Sequence, residues 1–373
     1  MKTVRRLLYR DIVAAVAFVS VAFLALFYFI DFVDQLDDVG KTYTTLMAAR
    51  DCFLELPGHF YELFPICVLI GTIYAMTRMA ASSEFTILRT GGLSPGRALS
   101  LLGGLGLVFA LITFVIGDYV SPYTERLSIQ VKAIQQGGLS LGRTGAWLKD
   151  RGTVNGVERN YSVNVGRASP DGELLDIRIF EFDNDGRLIS RVEAERGRVD
   201  PDNTWSLRQV TITHWRAEVE VPGGQATPAV TENKLPEYDW HGGLSAAVVS
   251  AAVLPVSTMS TVDLYRYTMH LSENEQAAQG HAIQFWKKAL YPFACLVMVA
   301  LALPFAYLRT RSGSISLKVF GGVMLGVAFV LLNNLAGHLG LLHNWTPWMA
   351  AATPSIVFLL LSLAAFSWLV RYR

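Results

Sequence analysis

Six long apolar runs constrain this sequence more than any other feature. A bilayer core about 30 Å thick is crossed by a helix of roughly 20 apolar residues. Runs that meet or approach this length lie at 12–30, 60–78, 98–117, 289–308, 319–337 and 348–370. With 52% hydrophobic and only 17% charged residues, the chain is too apolar for an ordinary soluble protein of 373 residues. The sequence predicts an α-helical membrane protein with six spans.

The charges of the short loops predict the orientation, because cytoplasmic loops collect Lys and Arg. Basic residues occur before the first run, after the second and fourth runs and at the end of the chain: Lys2, Arg5, Arg6, Arg10, Arg78, Arg89, Arg97, Arg309, Arg311, Lys318, Arg371 and Arg373. The loop after the first run instead carries Asp34, Asp37 and Asp38. We therefore expect both termini in the cytoplasm and the polar middle section on the opposite side.

Two segments complicate the count of spans. The first run follows a basic leader, but it is too long for the apolar core of a cleaved signal peptide and has no small-residue cleavage site after it. We interpret it as a retained anchor. The segment 242–262 has no charged residue, but it is rich in Ala, Ser, Thr and Gly and contains Pro255. A seventh span here would also place Lys318 outside, which favours six.

The middle section, residues 121–280, has the pattern of β-strands. Short runs with alternating polar and apolar positions lie at 160–165, 177–182, 188–194 and 204–215. They are separated by turn sequences: Pro170-Asp171-Gly172, Asn184-Asp185-Gly186 and Asp200-Pro201-Asp202-Asn203. This pattern predicts an antiparallel sandwich or open roll. A capping box from Ser260 to Asp263 then predicts a short amphipathic helix before the fourth span.

The motifs of enzymes and nucleic-acid-binding proteins are not supported. Gly40-Lys41-Thr42 lacks the leading glycine of a P-loop, because Gln35 occupies that position. The stretch 92–96 fits G-x-S-x-G, but Ser94-Pro95 is typical of a helix start. The seven histidines show no metal-binding spacing, and a net charge of +1 gives no reason to expect nucleic acid. We expect no catalytic residues, no metal site and no cofactor in this chain.

The loop after the second span is the most informative segment. Ser82 or Ser83 can cap a helix with Glu84 in its first turn, where the helix dipole favours an acid, and Gly91-Gly92 can end it. The apolar Phe85, Ile87 and Leu88 are expected to be exposed on the cytoplasmic side. A short helix with an exposed apolar face indicates a protein partner, although an interfacial helix that rests on lipid has the same pattern.

Several motifs, in this order, resemble the lipopolysaccharide export permeases of the LptF/LptG (YjgP/YjgQ) family. They are Phe32-Val33-Asp34-Gln35-Leu36, Leu56-Pro57, Phe64-Pro65, Ser83-Glu84 with Gly91-Gly92, Trp147-Leu148-Lys149-Asp150, and Lys288 with Pro292. The resemblance covers essentially the whole chain. The first and the Trp147 motifs favour the LptG-type subunit.

The resemblance implies a fold, a function and a set of partners. The expected architecture is three spans in 1–120, a periplasmic jellyroll-like β domain with a connecting helix in 121–280, and three spans in 281–373. The expected function is a non-catalytic subunit in the bacterial inner membrane that exports lipopolysaccharide. The implied partners are an LptB-like cytoplasmic ATPase dimer that binds the ATP and Mg, an LptF-like second permease, and an LptC-like single-span periplasmic jellyroll protein.

The resemblance also implies roles for individual residues. A coupling helix near 82–92 would contact the ATPase through Glu84, Phe85, Leu88, Arg89 and Gly91. A lipid path and gate would involve Phe32, Asp34, Phe64 and Lys318. The chain departs from the family at the outer end of the first span. Asp31, Asp37 and Asp38 lie where lysines for the lipid phosphates are expected, and acids there repel an anionic headgroup.

Two other functions fit the same sequence. The chain is also compatible with a permease for another amphiphile, such as a lipoprotein or other glycolipid. It is compatible, too, with a membrane-anchored periplasmic scaffold or sensor whose working part is the β domain. The coupling helix discriminates between these functions, because a scaffold has no use for an ATPase contact.

Overall fold

A computed structural model describes most of the 373 residues. The residues that it does not describe are 1, 38, 41–42, 137–138, 141–144, 155–156, 170–172, 201, 217–228, 246–247, 250–251, 253–254, 274–277, 308–314 and 373. The chain divides into two compact units. The membrane unit comprises residues 1–125 and 279–373, and the inserted unit comprises residues 126–278.

The described residues contain six helices long and apolar enough to cross a membrane, which confirms the predicted number. The helices of the membrane unit are α1 (Lys2–Leu36), α2 (Thr45–Ala81), α3 (Glu84–Thr90), α4 (Pro95–Val115), α7 (Gln279–Ala302), α8 (Pro304–Tyr307), α9 (Ile315–Leu342) and α10 (Pro347–Tyr372). A π-helical turn, Ile116–Val120, joins α4 to α5 (Ser121–Gln136). The third span comprises α4, the π turn and the start of α5, and α7 with α8 forms the fourth.

Glycines allow the closest helix contacts in the membrane unit. A Cβ atom at Gly71 of α2 would lie 2.6 Å from the Cα atom of Val16 in α1. A Cβ atom at Gly106 of α4 would lie 2.9 Å from the side chain of Leu296 in α7. Small residues that let helix backbones approach in this way are typical of packing in membranes. The core between these helices includes Val68, Ile73 and Met298.

The start of α4 decides between the two interpretations of the G-x-S-x-G sequence. Ser94 has extended backbone geometry, and its Oγ accepts a hydrogen bond from the backbone N–H of Arg97 at 3.4 Å. Pro95 occupies the first helical position, where its missing N–H leaves no hydrogen bond unmade. The segment is a helix cap, which confirms the prediction that Ser94 is not a nucleophile.

The prediction of strands directly from residue 121 is wrong for the first part of the middle section. Helix α5 continues the third span to Gln136 before the first strand begins. Since consecutive turns remain helical through the π turn, nothing ends the helix where the apolar run ends. Hydropathy marks the end of the apolar surface, and a helix continues beyond it for as long as its backbone hydrogen bonds continue.

Among the described residues of the inserted unit, seven strands form one antiparallel sheet. They are β1 (Leu139–Ser140), β2 (Ala146–Val154), β3 (Val157–Ala168), β4 (Leu174–Phe182), β5 (Leu188–Val199), β6 (Thr204–Arg216) and β7 (Ala229–His241). From β2 to β7 every strand pairs with the next, so the described strands form an antiparallel meander. The predicted β domain between the third and fourth spans is confirmed.

The predicted turns lie between these strands. Asp185-Gly186 lies between β4 and β5, where Gly186 has φ +75°, a conformation that glycine adopts without strain. Asn203 has φ +65° between β5 and β6. The predicted turn Pro170-Asp171-Gly172 lies outside the described residues. Trp205, Leu207 and Ile177 are among the fully buried side chains of this sheet.

Helix α6 (Thr261–Glu273) confirms the predicted capping box. The Asp263 N–H donates to Ser260 Oγ at 3.1 Å, and the Ser260 N–H donates to Asp263 Oδ2 at 3.3 Å. Burial alone would raise the pKa of the Asp263 carboxyl, but hydrogen bonds from Ser260 and Arg126 outweigh burial and lower it. In the segment 242–262, no helix of spanning length occurs among the described residues, which agrees with the rejection of a seventh span.

Candidate functional site

One end of the membrane unit carries the short helix α3, and we call it the α3 end. Helix α2 ends there, α4 begins there, and α8 finishes the fourth span there. Arg78 of α2 donates from Nη2 to Asp11 Oδ2 of α1 at 2.7 Å, which fastens the first two spans together at this end. The predicted coupling helix therefore lies where several spans meet.

The start of α3 differs from the prediction. Ser83 occupies the N-cap position with φ +62° and makes no side-chain cap hydrogen bond. The Oγ of Ser82 donates to the backbone carbonyl of Met79 instead. The predicted serine cap is wrong, because the tight turn between α2 and α3 places Ser83 in a left-handed conformation in which its hydroxyl does not cap the helix.

Phe85 fixes α3 to the membrane unit. Its side chain is only 3% exposed, and its ring packs edge-on against Tyr307 of α8 with 5.2 Å between the centroids. Tyr307 in turn packs edge-on against Phe366 of α10 at 6.0 Å. Leu88 is half-buried against the same core. The prediction that Phe85 is exposed is wrong, since this side chain fills the aromatic contact that holds the helix in place.

The exposed surface of α3 is narrower than the sequence predicted. Glu84 is exposed at the first position of the helix, and Ile87 is 66% exposed. Arg89 is exposed, and its guanidinium carbon lies 5.0 Å from the centroid of the Tyr307 ring. Gly91 ends the helix, and its N–H donates to the carbonyl of Ile87 at 2.9 Å. Glu84 and Ile87 are thus exposed on a helix whose opposite side is attached to the membrane unit through Phe85.

Tyr307 connects these contacts, yet the sequence analysis did not identify it. It touches Phe85, Arg89 and Phe366 and therefore links α3 to the fourth and sixth spans. The available signal was an aromatic residue at the basic end of the fourth apolar run. That signal does not identify the residues that contact Tyr307, because they lie in α3 and α10, far from it in the sequence.

The opposite end of the membrane unit, which we call the Asp31 end, contains α1 and α2 joined by polar side chains. The Nε2 atom of His59 in α2 lies 2.7 Å from Asp31 Oδ2 in α1. The hydroxyl of Tyr43 donates to Gln35 Oε1 at 2.9 Å and to Asp51 Oδ2 at 3.1 Å. Burial, followed by the nearby Asp51 carboxylate, raises the pKa of the Tyr43 phenol. Tyr43 therefore stays neutral and donates its hydrogen bonds at physiological pH.

A group of three possible metal ligands also lies at the Asp31 end. Donor atoms of Asp31, Glu55 and His59 all lie within 4.8 Å of one another. No histidine in the sequence has the spacing of a metal-binding motif, which is why no metal site is predicted. Such motifs lie within one segment, whereas this group joins residues of two helices. The juxtaposition also gives Asp31 a histidine partner, so this acid is not an isolated negative charge.

The residues predicted for the lipid path are not all accessible. Phe32 is half-buried and stacks on Tyr28, while Asp34 is exposed. Lys318 is half-buried near the start of α9. Phe64 is buried and packs against Phe60 and Phe109. Because the Phe64 ring belongs to the core of the membrane unit, we do not retain this residue as a proposed contact of the lipid path.

Comparison with known proteins gives one consistent result. The family model described as "Lipopolysaccharide export system permease LptF/LptG" matches residues 6–369. The chain is 27% identical over 366 residues to "Lipopolysaccharide export system permease protein LptG" of Haemophilus influenzae, and the match covers 97% of both chains. It is 27% identical over 338 residues to the protein of the same name in Escherichia coli K12, covering 90% of this chain and 89% of that one.

Proposed function

The chain belongs to the lipopolysaccharide export system permease LptF/LptG family, and from this premise we propose that it is the LptG-type subunit of an ATP-driven lipopolysaccharide exporter. It would lie in the bacterial inner membrane with both termini in the cytoplasm and the β unit in the periplasm. There it would help to withdraw lipid from the outer leaflet and pass it to a periplasmic bridge of β domains. The long match to relatives named LptG supports this assignment.

The observation that carries the ATP-driven part of the proposal is the way α3 is mounted. Phe85 fixes the helix to Tyr307, while Glu84 and Ile87 face outward. The sequence contains no P-loop, so a partner must supply the ATPase activity and would bind ATP and Mg itself. A rigidly mounted helix transmits a displacement to the spans beneath it, whereas a loosely attached one absorbs it.

The proposed partners follow from the same arrangement. An LptB-like ATPase dimer would receive α3, an LptF-like permease would pair with this chain, and an LptC-like periplasmic protein would extend the path of the lipid. Asp34 and Phe32 at the Asp31 end and Lys318 near the start of α9 remain proposed contacts of the lipid path. The acids of the Asp31 end favour a headgroup with few phosphates, or one bridged by a divalent cation or held by the second permease.

Co-purification tests the proposal. The full chain, isolated from its own host in mild detergent, is expected to bring with it an ATPase and a second six-span protein. Changing Glu84→Lys reverses an exposed charge on α3 and should release the ATPase while the second permease stays. Asp37→Lys is the matched control, because it reverses an exposed acid at the Asp31 end and should retain both partners. A wild-type chain that brings no ATPase would refute the ATP-driven proposal and favour a scaffold or sensor.

A further inference from the structure

Lys287 lies in α7, two residues before the apolar run of the fourth span begins at residue 289. It lies eight residues after Gln279, the first residue of α7, which is about 12 Å along the helix at a rise of about 1.5 Å per residue. Its side chain is half-buried. Within the described part of the chain, it makes no ion pair with an acid.

The ammonium group of Lys287 lies in a notch formed by Gly337 of α9. A Cβ atom at position 337 would lie 2.8 Å from Lys287 Cε and still closer to Nζ, so any side chain there would displace the flexible end of the lysine. The lysine therefore packs across α7 and α9. A cation partly withdrawn from water is unfavourable unless an anion compensates it.

The surroundings of the notch combine polar and apolar groups. Asn333 lies one helical turn before Gly337 on the same face of α9, and Asn334 is adjacent to it. The same helix exposes the large apolar side chains of Leu331 and Leu335, with exposed fractions of 64% and 52%. A cation beside amide groups and an open apolar surface suits an amphiphile better than a free ion.

We propose that Lys287, held in the Gly337 notch, binds a phosphate group of the transported lipid. The ammonium donates to the phosphate oxygens as a point charge, the amides of Asn333 and Asn334 lie within reach of the headgroup, and acyl chains cover the exposed leucines of α9. The inference rests on the proposed function. It gives the lipid a basic contact between the fourth and fifth spans of this chain. The outer end of the first span carries acids and provides no such contact.

The experiment measures lipid binding to the purified transporter complex in nanodiscs. The probes are lipopolysaccharide, the same lipid after enzymatic removal of its phosphates, and excess inorganic phosphate as a competitor. Lys287→Gln is expected to weaken binding of the phosphorylated lipid by about tenfold, equivalent to about 1.4 kcal/mol, and to leave the dephosphorylated lipid unaffected. Lys287→Arg keeps the charge and should retain most of the affinity.

Two glycine variants in α9 provide a matched pair. Gly337→Ala keeps the lysine but displaces the end of its side chain, so it should weaken binding of phosphorylated lipid, though by less than Lys287→Gln. Gly321→Ala should have no effect, because a Cβ atom there has no neighbour within 4 Å. The two alanines add the same group to the same helix, and thermal unfolding of each complex shows whether it remains folded.

The alternative results are distinct. If Lys287→Gln binds both lipids like the wild type, the lysine only anchors the span at the interface and the inference is wrong. If the variant loses the second permease, Lys287 serves a subunit interface instead. If inorganic phosphate binds to the wild type and not to the variant, yet does not displace the lipid, the site binds a free anion and the lipid assignment fails. A wild-type complex that binds no lipopolysaccharide would refute the proposed function itself, and this inference with it.

Discussion

At the α3 end of the membrane unit, Phe85 and Tyr307 pack as buried aromatic rings, whereas at the Asp31 end α1 and α2 are joined by hydrogen bonds between polar side chains. Aromatic packing depends on buried area and shape, and it is insensitive to salt. Hydrogen bonds between half-exposed charged groups weaken as salt screens them. The attachment of α3 is therefore expected to respond to the loss of buried rings, and the contact between α1 and α2 at the Asp31 end to salt and to the loss of polar groups.

The largest effect is expected from Phe85→Ala. Removing this buried ring should destabilise the attachment of α3 by about 3–5 kcal/mol, the usual range for a phenylalanine truncated in a core. Hydrogen exchange of the α3 amides should rise sharply, while the amides near Asp31 remain protected as before. Phe85→Leu keeps much of the apolar volume and should show a much smaller increase. If Phe85→Ala raised the exchange equally at both ends, the expected independence of the two ends would be contradicted.

A second variant, Asp51→Ala, tests the polar end. The Asp51 side chain is fully buried, and it accepts hydrogen bonds from Tyr43 at 3.1 Å and from Arg50 at 3.4 Å. Its removal takes the acceptor from Arg50 and one of two acceptors from Tyr43, which keeps Gln35. Since these hydrogen bonds go to a charged group, we expect a loss of about 1–3 kcal/mol at the Asp31 end. Asp51→Asn retains one carbonyl acceptor and should lose less. We expect amide exchange to increase near Tyr43 and to stay unchanged in α3. The reverse pattern would contradict the difference between the two ends.

His59→Ala should have a smaller effect that depends on salt. The bond to Asp31 is half-exposed, so its loss should destabilise the contact between α1 and α2 by about 1 kcal/mol at low salt. At high salt the difference from wild type should shrink, whereas that of Phe85→Ala should not. Thermal unfolding of the complex at two ionic strengths measures the effects of both variants. A salt-independent effect of His59→Ala would show that the ring acts through packing, for instance against Phe27, whose ring centroid is 5.2 Å away.

The smallest effect is expected from Arg89→Ala. Its guanidinium contacts the face of Tyr307 from an exposed position, and such a contact contributes about 0.5 kcal/mol. Arg89→Lys preserves the cation and should be close to wild type. Because α3 remains attached through Phe85, the exchange of its amides should hardly change. A loss as large as that of Phe85→Ala would mean that the cation, and not the buried ring, holds the helix.

The elements that follow from local chemistry were predictable. Hydropathy over a span's length predicts the six helices, and short signals predict their neighbours. Ser94-Pro95 caps α4, Ser260 and Asp263 form a capping box, and Asp185-Gly186 makes a hairpin turn. In each of these cases the residues that make the structure lie within a few positions of one another, so the pattern in the sequence already contains the interaction.

The contacts that define the candidate site were not predictable from such patterns. Phe85 looks like an exposed anchor for a partner until Tyr307, far along the chain, is seen to cover it. Asp31 looks like an isolated acid until His59 is seen beside it. Lys287 and Gly337 each look ordinary, since the notch exists only where two spans meet. All three depend on the packing of separate helices, which hydropathy does not specify.

One measurement tests the central claim, that ATP-driven force enters through α3. The complete transporter is reconstituted in liposomes that contain labelled lipopolysaccharide, and ATP-dependent release to a soluble β-domain acceptor is followed over time. We predict release by the wild type, and for Glu84→Lys normal lipid binding but no ATP-dependent release. Release by Glu84→Lys at the wild-type rate would contradict the account, because the exposed acid of α3 would then have no part in the coupling.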